Sequence, residues 1–181
     1  MNALISLHTA VFGQIERLSP MVLPTLARLV FAAVLLRYFW SSALTKLDGP
    51  FMLSSGAFVQ IFPKKFEALG YDPSQFGLLD RLIILGGTYA EFILPLLIVI
   101  GLLTRLSSLG MIGFIVVQSL TDIYGHGADA KTIGVWFDKA SDAHIMDQRA
   151  FWVFVLVYLA FRGAGPLSLD RVLATRQAAS G

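Results

Sequence analysis

The sequence predicts an all-α membrane protein: an antiparallel four-transmembrane-helix bundle with an interfacial N-terminal helix. Three observations predict it. Of 181 residues, 56% are hydrophobic and only 14% charged, whereas soluble domains carry about 25% charged residues. Mean hydropathy is +0.70. The charges cluster so as to leave four apolar stretches, continuous rather than alternating, which favours spanning helices over a β-barrel.

The first element is the interfacial helix, within a segment 1–23. Leu4, Leu7, Val11, Ile15 and Leu18 recur at helical spacing, with Ser6, Gln14, Glu16 and Arg17 on other faces. Residues 2–18 therefore read as a helix in the headgroup plane. Residues 1–10 lack Lys and Arg, and Pro20 and Pro24 interrupt the apolar run, which is not the pattern of a signal peptide. The four-helix domain follows over 24–173, with a tail at 174–181.

The first span is Pro24 to Leu44, whose only charges are Arg28 and Arg37. The second lies between Arg81 and Arg105, where 23 residues hold one charge, Glu91. Both are long enough to cross a hydrocarbon core of about 30 Å. The third, Leu106 to Thr121, gains length from Ile123 and Tyr124. The fourth, Ala150 to Phe161, is 12 residues and must recruit Ile145, Met146 and Leu167, with Arg149 and Arg162 snorkelling to the interfaces. A run that short is also compatible with a buried or re-entrant helix. A very short turn around Thr104 to Ser108 makes spans two and three antiparallel neighbours.

The connections carry their own signals. Phe51, Phe58, Phe62, Phe66, Tyr71 and Phe76 crowd residues 45–80, a density suited to the membrane–water boundary. Asp72-Pro73 reads as the N-cap and first position of the second span. Residues 122–148 form a polar, acidic loop. Ser168-Leu169-Asp170-Arg171 opens a last interfacial turn.

Composition also excludes functions. The absence of cysteine removes thiol–disulfide exchange and thiolate or iron–sulfur ligation. The 14 basic residues are scattered, so no nucleic-acid footprint forms. The partner that composition implies is the lipid bilayer. The termini side carries five basic and two acidic residues, and the long-loop side seven basic and nine acidic over longer segments. That density places the termini in the cytoplasm.

Candidate chemistry begins with Arg28, Arg37 and Glu91, charges inside spans. At about 1.5 Å per residue, Arg37 and Glu91 both fall near mid-membrane, so Glu91 is expected to pair with Arg37 first and Arg28 second. Such a site serves either as a structural salt bridge or as a binding site for an anionic or quinone-like headgroup. Pro95 has no N–H for the Glu91 carbonyl, which predicts a helix kink beside the carboxylate. Tyr89, after Gly86 and Gly87, and Gln118 in the third span complete the buried polar candidates. Asp122 and His126 share a helical face, and His144 lies in the same loop. These three are the weak metal candidates; no metal motif is present, and a solvated acidic loop is the blander reading.

Three segments resemble the DoxX family: Trp40-Ser41-Ser42-Ala43-Leu44-Thr45-Lys46-Leu47; Glu91-Phe92-Ile93-Leu94-Pro95 with Gly101-Leu102-Leu103-Thr104-Arg105-Leu106; and Arg162-Gly163-Ala164-Gly165-Pro166-Leu167-Ser168-Leu169-Asp170. The resemblance covers roughly residues 25–173. It implies a multi-pass four-helix protein of the bacterial inner membrane with cytoplasmic termini. It also implies association with redox or stress-response systems, and the Glu-Phe-Ile-Leu-Pro form is similar to the branch encoded beside multinuclear iron oxidative enzymes. Two departures stand out: the family's first-span Arg lies about one turn nearer the Thr-Lys-Leu end than Arg28, and the 122–148 loop is long.

The expected function is an accessory subunit of such a system, rather than an independent enzyme, with a buried Arg/Glu site for a quinone-like or anionic small molecule. The alternatives are a non-catalytic membrane anchor or assembly factor for a soluble enzyme and, third, a small transporter. No cofactor motif is evident; quinone is the cofactor class left open. A soluble or membrane redox partner and a homo-oligomer are the protein partners left open.

Overall fold

The computed structural model describes residues 2–180. Helix α1 (Asn2–Phe31), a π-helical turn (Ala32–Leu36) and α2 (Arg37–Leu44) run on as one rod. The break expected after residue 23 is absent. Pro20 and Pro24 lie inside α1, and the carbonyls they leave without an intrahelical donor, those of Glu16 and Pro20, belong to exposed residues. The 42 residues Ala3–Leu44 make a helix about 63 Å long, roughly twice the hydrocarbon thickness.

The π turn sets the register of this rod. Phe31, Leu35, Phe39 and Ala43 are all buried. In a regular α-helix a four-residue repeat drifts about 40° per step. The wider i→i+5 turn absorbs that drift and keeps the four on one face.

A short hairpin, β1 (Leu47–Gly49) against β2 (Met52–Leu53), leads to α3 (Ser55–Ile61) and α4 (Pro63–Ala68). The aromatics here pack on one another: Phe58, Phe66 and Phe76 are buried with Ala57 and the Ile84 end of the next helix. That is a second small core, where the sequence suggested an interfacial belt. Asp72 does cap, accepting from Ser74 N at 2.8 Å, but it opens only a 3-10 turn over Pro73–Gln75. Burial of Phe76 intervenes, and the second span, α5 (Leu78–Ile100), starts after Gly77, whose N–H is bonded to Asp80.

Gly101 (φ +71°) and Leu103 (φ +50°) make the turn into α6 (Thr104–Leu120), so the turn lies just before Thr104–Ser108. A π turn over Thr121–Gly125 lengthens the third span through Ile123 and Tyr124. The next loop holds the short α7 (Ala130–Ile133). A π turn (His144–Gln148) recruits Ile145 and Met146 into the fourth span ahead of α8 (Arg149–Arg162). Gly163 at φ +78° ends that span, so Leu167 is not part of it. The last helix, α9 (Leu169–Ser180), continues past residue 174, so no separate tail begins there.

Among the described residues, four helices are long and apolar enough to cross a membrane: Ala3–Leu44, Leu78–Ile100, Thr104–Gly125 and His144–Arg162. All four meet in one core of Phe31, Leu35, Phe39, Ile98, Met111, Ile115, Leu156 and Leu159. Their outer faces carry exposed Leu29, Leu96, Leu109, Val116, Phe154 and Phe161, an apolar surface that lipid rather than water solvates.

One end of the bundle is locked by a charge network. Arg28 donates to Ile98 O (Nε, 3.0 Å), Val99 O (Nη2, 2.6 Å), Ala164 O (Nη1, 3.0 Å) and Leu167 O (Nη1, 2.6 Å). Two of these are carbonyls in the last turn of α5, at the negative end of its dipole. Asp170 answers at the start of α6, accepting from Leu103 N at 2.7 Å and Thr104 N at 3.0 Å. A Cβ at Gly101 would meet Ser168 Cβ at 2.6 Å and Arg28 Cζ at 2.9 Å. Gly101→Ala is therefore expected to lower the unfolding midpoint in detergent, by more than the roughly 1–2 kcal/mol of left-handed strain alone. Gly86→Ala, which meets nothing within 4 Å, should leave it unchanged or raise it.

Candidate functional site

Glu91 lies on the buried stripe of α5, with Ile84, Thr88, Pro95 and Ile98. A carboxylate on that stripe needs a cation, and Lys46 supplies it. Lys46 follows the last turn of α2, and its ammonium folds back inward. It donates to Ser42 O (3.1 Å) and Ser42 Oγ (2.7 Å), and to both Glu91 oxygens at 3.0 and 2.9 Å. Both residues are almost fully enclosed, with 5% and 4% of their side chains exposed. The position suits a cation twice over, because the end of α2 also presents the negative end of the helix dipole.

This pairing corrects the expected one. Arg37 is exposed on the outside of the rod, and Arg28 is held by four carbonyls at the far end. The reason is angular. Residue 37 stands two positions from both Leu35 and Phe39, about 200° around the helix from the core stripe. Depth alone matched Arg37 to Glu91; the face did not. The sequence reading missed Lys46 because a lysine just beyond a span ordinarily snorkels outward.

The ion pair forms part of the wall of a cavity of about 350 Å³ between α2, α3, α5 and α6. Ile61, Ile83, Leu94, Phe114 and Val117 line its apolar walls, and Gly87, Gly110 and Gly113 open its floor. Ile83, Gly110, Gly113 and Val117 are also exposed on the bundle surface, so the cavity opens sideways between α5 and α6. Its loop end is polar, with Gln60, Asp122 and His126.

Gln118 is a further polar group of the wall, beside Thr121. Its Nε2 donates to Tyr38 Oη at 3.1 Å, while its buried Oε1 has no hydrogen-bond partner. Of the predicted candidates, Glu91, Gln118, Asp122 and His126 thus come together on one cavity, joined by Lys46, Ser42 and Gln60. Arg28 and Arg37 do not. Tyr89 turns the other way and stacks on Phe51, ring centroids 5.4 Å apart. Pro95 is buried and α5 remains one continuous helix through it.

The metal candidates are engaged elsewhere. Asp122 pairs at 2.5 Å with Arg149, which is buried rather than snorkelled and also donates to Ser119 Oγ. His126 Nε2 contacts Gln60 O at 3.0 Å, and His144 Nδ1 contacts Gln148 Oε1 at 3.1 Å, its ring edge-on to Trp152. Asp129 accepts from Thr132 N, a bond that holds its carboxyl below the usual range. Among the described residues no group of three or more His, Cys, Asp or Glu is placed to hold a metal ion.

A model of the DoxX family matches residues 23–121, from within the first span to near the end of the third. That is 99 of 181 residues. The chain belongs to the DoxX family. No curated protein and no solved structure matches it. The DoxX match includes Ser42, Lys46, Glu91 and Gln118, and stops before His126 and the fourth span.

The pairing has a direct energetic consequence. Removing one member of a buried ion pair typically costs about 3–5 kcal/mol. Glu91→Leu and Lys46→Met are each expected to lower unfolding stability in detergent on that scale. Arg37→Gln, on an exposed face, should change it by less than about 0.5 kcal/mol. Thermal or denaturant unfolding of the three purified variants checks this.

Proposed function

We propose that this DoxX-family membrane protein is an accessory subunit of a redox or stress-response system, and that the cavity beside Lys46 and Glu91 binds a hydrophobic small molecule with a quinone-like headgroup. The observation that carries the reading is the cavity itself: a small-molecule volume inside the bundle, polar at one wall and open sideways to the lipid-facing surface. Its size sits at the lower end for ligand pockets, enough for one ring headgroup. A lipophilic ligand enters such a site from the bilayer without crossing water.

The residues fit a neutral headgroup better than an anionic one. Lys46 is neutralised by Glu91 and Asp122 by Arg149, so the two charged walls carry no net charge. Lys46 has four acceptors for its three hydrogens and none to spare. The Gln118 amide has a buried oxygen with no partner of its own. It offers its oxygen to a hydroxyl or, turned over, its N–H₂ to a carbonyl, with Tyr38 Oη serving either end. Ile83, Leu94, Phe114 and Val117 would hold the ring and its tail and exclude water. When bound, a quinone would supply two-electron, two-proton chemistry to a partner enzyme.

We also propose the bacterial inner membrane as the site, with cytoplasmic termini. The end locked by Arg28 and Asp170 gathers the 101–103 turn and the start of α9, and Arg105, Arg162, Arg171 and Arg176 lie there. The chain has no cysteine, so single introduced thiols report sidedness. Ala178→Cys should be protected from an impermeant maleimide in intact spheroplasts while Ser141→Cys is labelled; the opposite pattern reverses the orientation.

The binding reading is tested at Gly113, where a Cβ would meet nothing within 4 Å. Protein in nanodiscs, exposed to a short-chain ubiquinone analogue, is expected to bind one molecule per chain. Gly113→Leu should fold with an unchanged unfolding midpoint and lose at least tenfold in affinity. Unchanged analogue binding in Gly113→Leu, or none in the parent protein, contradicts the reading.

A further inference from the structure

Arg37 is a charge well inside a span that neither the fold nor the proposed cavity uses. It is exposed, and among the described residues no hydrogen bond or ion pair reaches it. Its depth follows from its neighbours. Trp40 Nε1 donates to Phe92 O at 3.2 Å, which fixes this part of α2 against the middle of α5. Arg37 is also about 13 Å along the rod from Arg28, which marks the end of the bundle. An arginine side chain at that depth faces hydrocarbon, and an unpaired cation there is costly, so such residues pair.

The surface around it is shaped for a neighbouring helix. Ala33, Arg37 and Ser41 stand at four-residue spacing, and all three are exposed. They form one stripe, with Val30, Val34 and Leu44 beside it, also exposed. Small residues one turn either side of a polar one let a second helix approach closely in a membrane. The π turn immediately before Arg37 holds this stripe opposite the core stripe.

A second copy of the chain does not supply the missing anion. A two-fold contact through this stripe would bring Arg37 towards Arg37. Four of the span carboxylates are already committed: Glu91 to Lys46, Asp122 to Arg149, Asp80 to Lys65 near the loop end, and Asp147 to the Ala143 N–H; Glu16, the fifth, lies about 32 Å along the rod from Arg37, far from its depth. We infer that the Ala33–Arg37–Ser41 face docks a transmembrane helix of a different protein, one carrying an Asp or Glu near mid-membrane.

The test uses the full chain, donor-labelled, in neutral phosphatidylcholine vesicles with acceptor-labelled poly-leucine transmembrane peptides. One peptide carries a single central Glu, the second Gln, the third only Leu. Energy transfer should half-saturate at a peptide density at least tenfold lower for Glu than for Leu, with Gln between. Arg37→Leu should abolish the preference with its unfolding midpoint unchanged, and Arg37→Lys should keep part of it. Equal transfer for the Glu and Leu peptides overturns the inference. So does an Arg37-dependent dimer of the chain itself, or an Arg37-dependent response to anionic lipid with no discrimination among peptides; these assign the face to a second copy or to headgroups.

Discussion

A carboxylate in a hydrocarbon-embedded bundle must be neutralised by something that reaches it, and much of the local architecture around α5 follows from how Glu91 meets that demand. Its position on the stripe Ile84–Thr88–Glu91–Pro95–Ile98 turns it inward. The cation must therefore come from a packed neighbour. Lys46 reaches it only because the chain leaves α2 at Leu44 and the ammonium turns back past Ser42 to the end of its own helix. The hairpin and α3 then close over that turn, with Ser54 bonded through its N–H to Lys46 O and through its hydroxyl to Thr45 O. The cavity lies directly behind this arrangement, and its polar wall is a by-product of the same pair.

The five charges held within the bundle divide by geometry. Arg28 sits at a helix end and is satisfied by backbone carbonyls. Arg149 and Asp122 pair across α6 and α8. Lys46 and Glu91 pair across α2 and α5. Each is matched with groups of its own chain, and all but the half-buried Asp122 are buried. Arg37 alone is matched with nothing inside, because the register of the first rod turns it away. A fold that pairs the charges inside its bundle leaves the outward-facing Arg37 as a statement about the surroundings.

Much of this was legible in the sequence. The four spans, the tight turn between the second and third, and the recruitment of Ile123, Tyr124, Ile145 and Met146 follow from hydropathy and length. Glu91, Gln118, Asp122 and His126 could be picked out as polar groups in apolar or helical settings, and the structure gathers them on one cavity. The partner of Glu91 could not be found by depth, because depth is one coordinate and facing is another. The facing of residues 31–44 depends on a π turn, which no residue in Ala32–Leu36 announces. Arg149 was read as an interfacial arginine because its anion, Asp122, is 27 positions away and on another span. The N-terminal helix was cut at Pro20 and Pro24 because proline usually ends helices; here the affected carbonyls belong to exposed residues, and the helix runs on.

The central claim is that Lys46 and Glu91, and not Arg37 and Glu91, form the coupled buried pair. A double-mutant cycle measures it directly, from unfolding of the protein in detergent with Lys46→Met, Glu91→Leu and both together, and a parallel cycle with Arg37→Met. Residues in direct contact couple by about 0.5–3 kcal/mol, and an enclosed ion pair belongs at the upper end. The account predicts a coupling of about 2–3 kcal/mol between Lys46 and Glu91, and additivity within about 0.5 kcal/mol between Arg37 and Glu91. Additive effects at Lys46 and Glu91, or a strong coupling of Glu91 to Arg37, would contradict it.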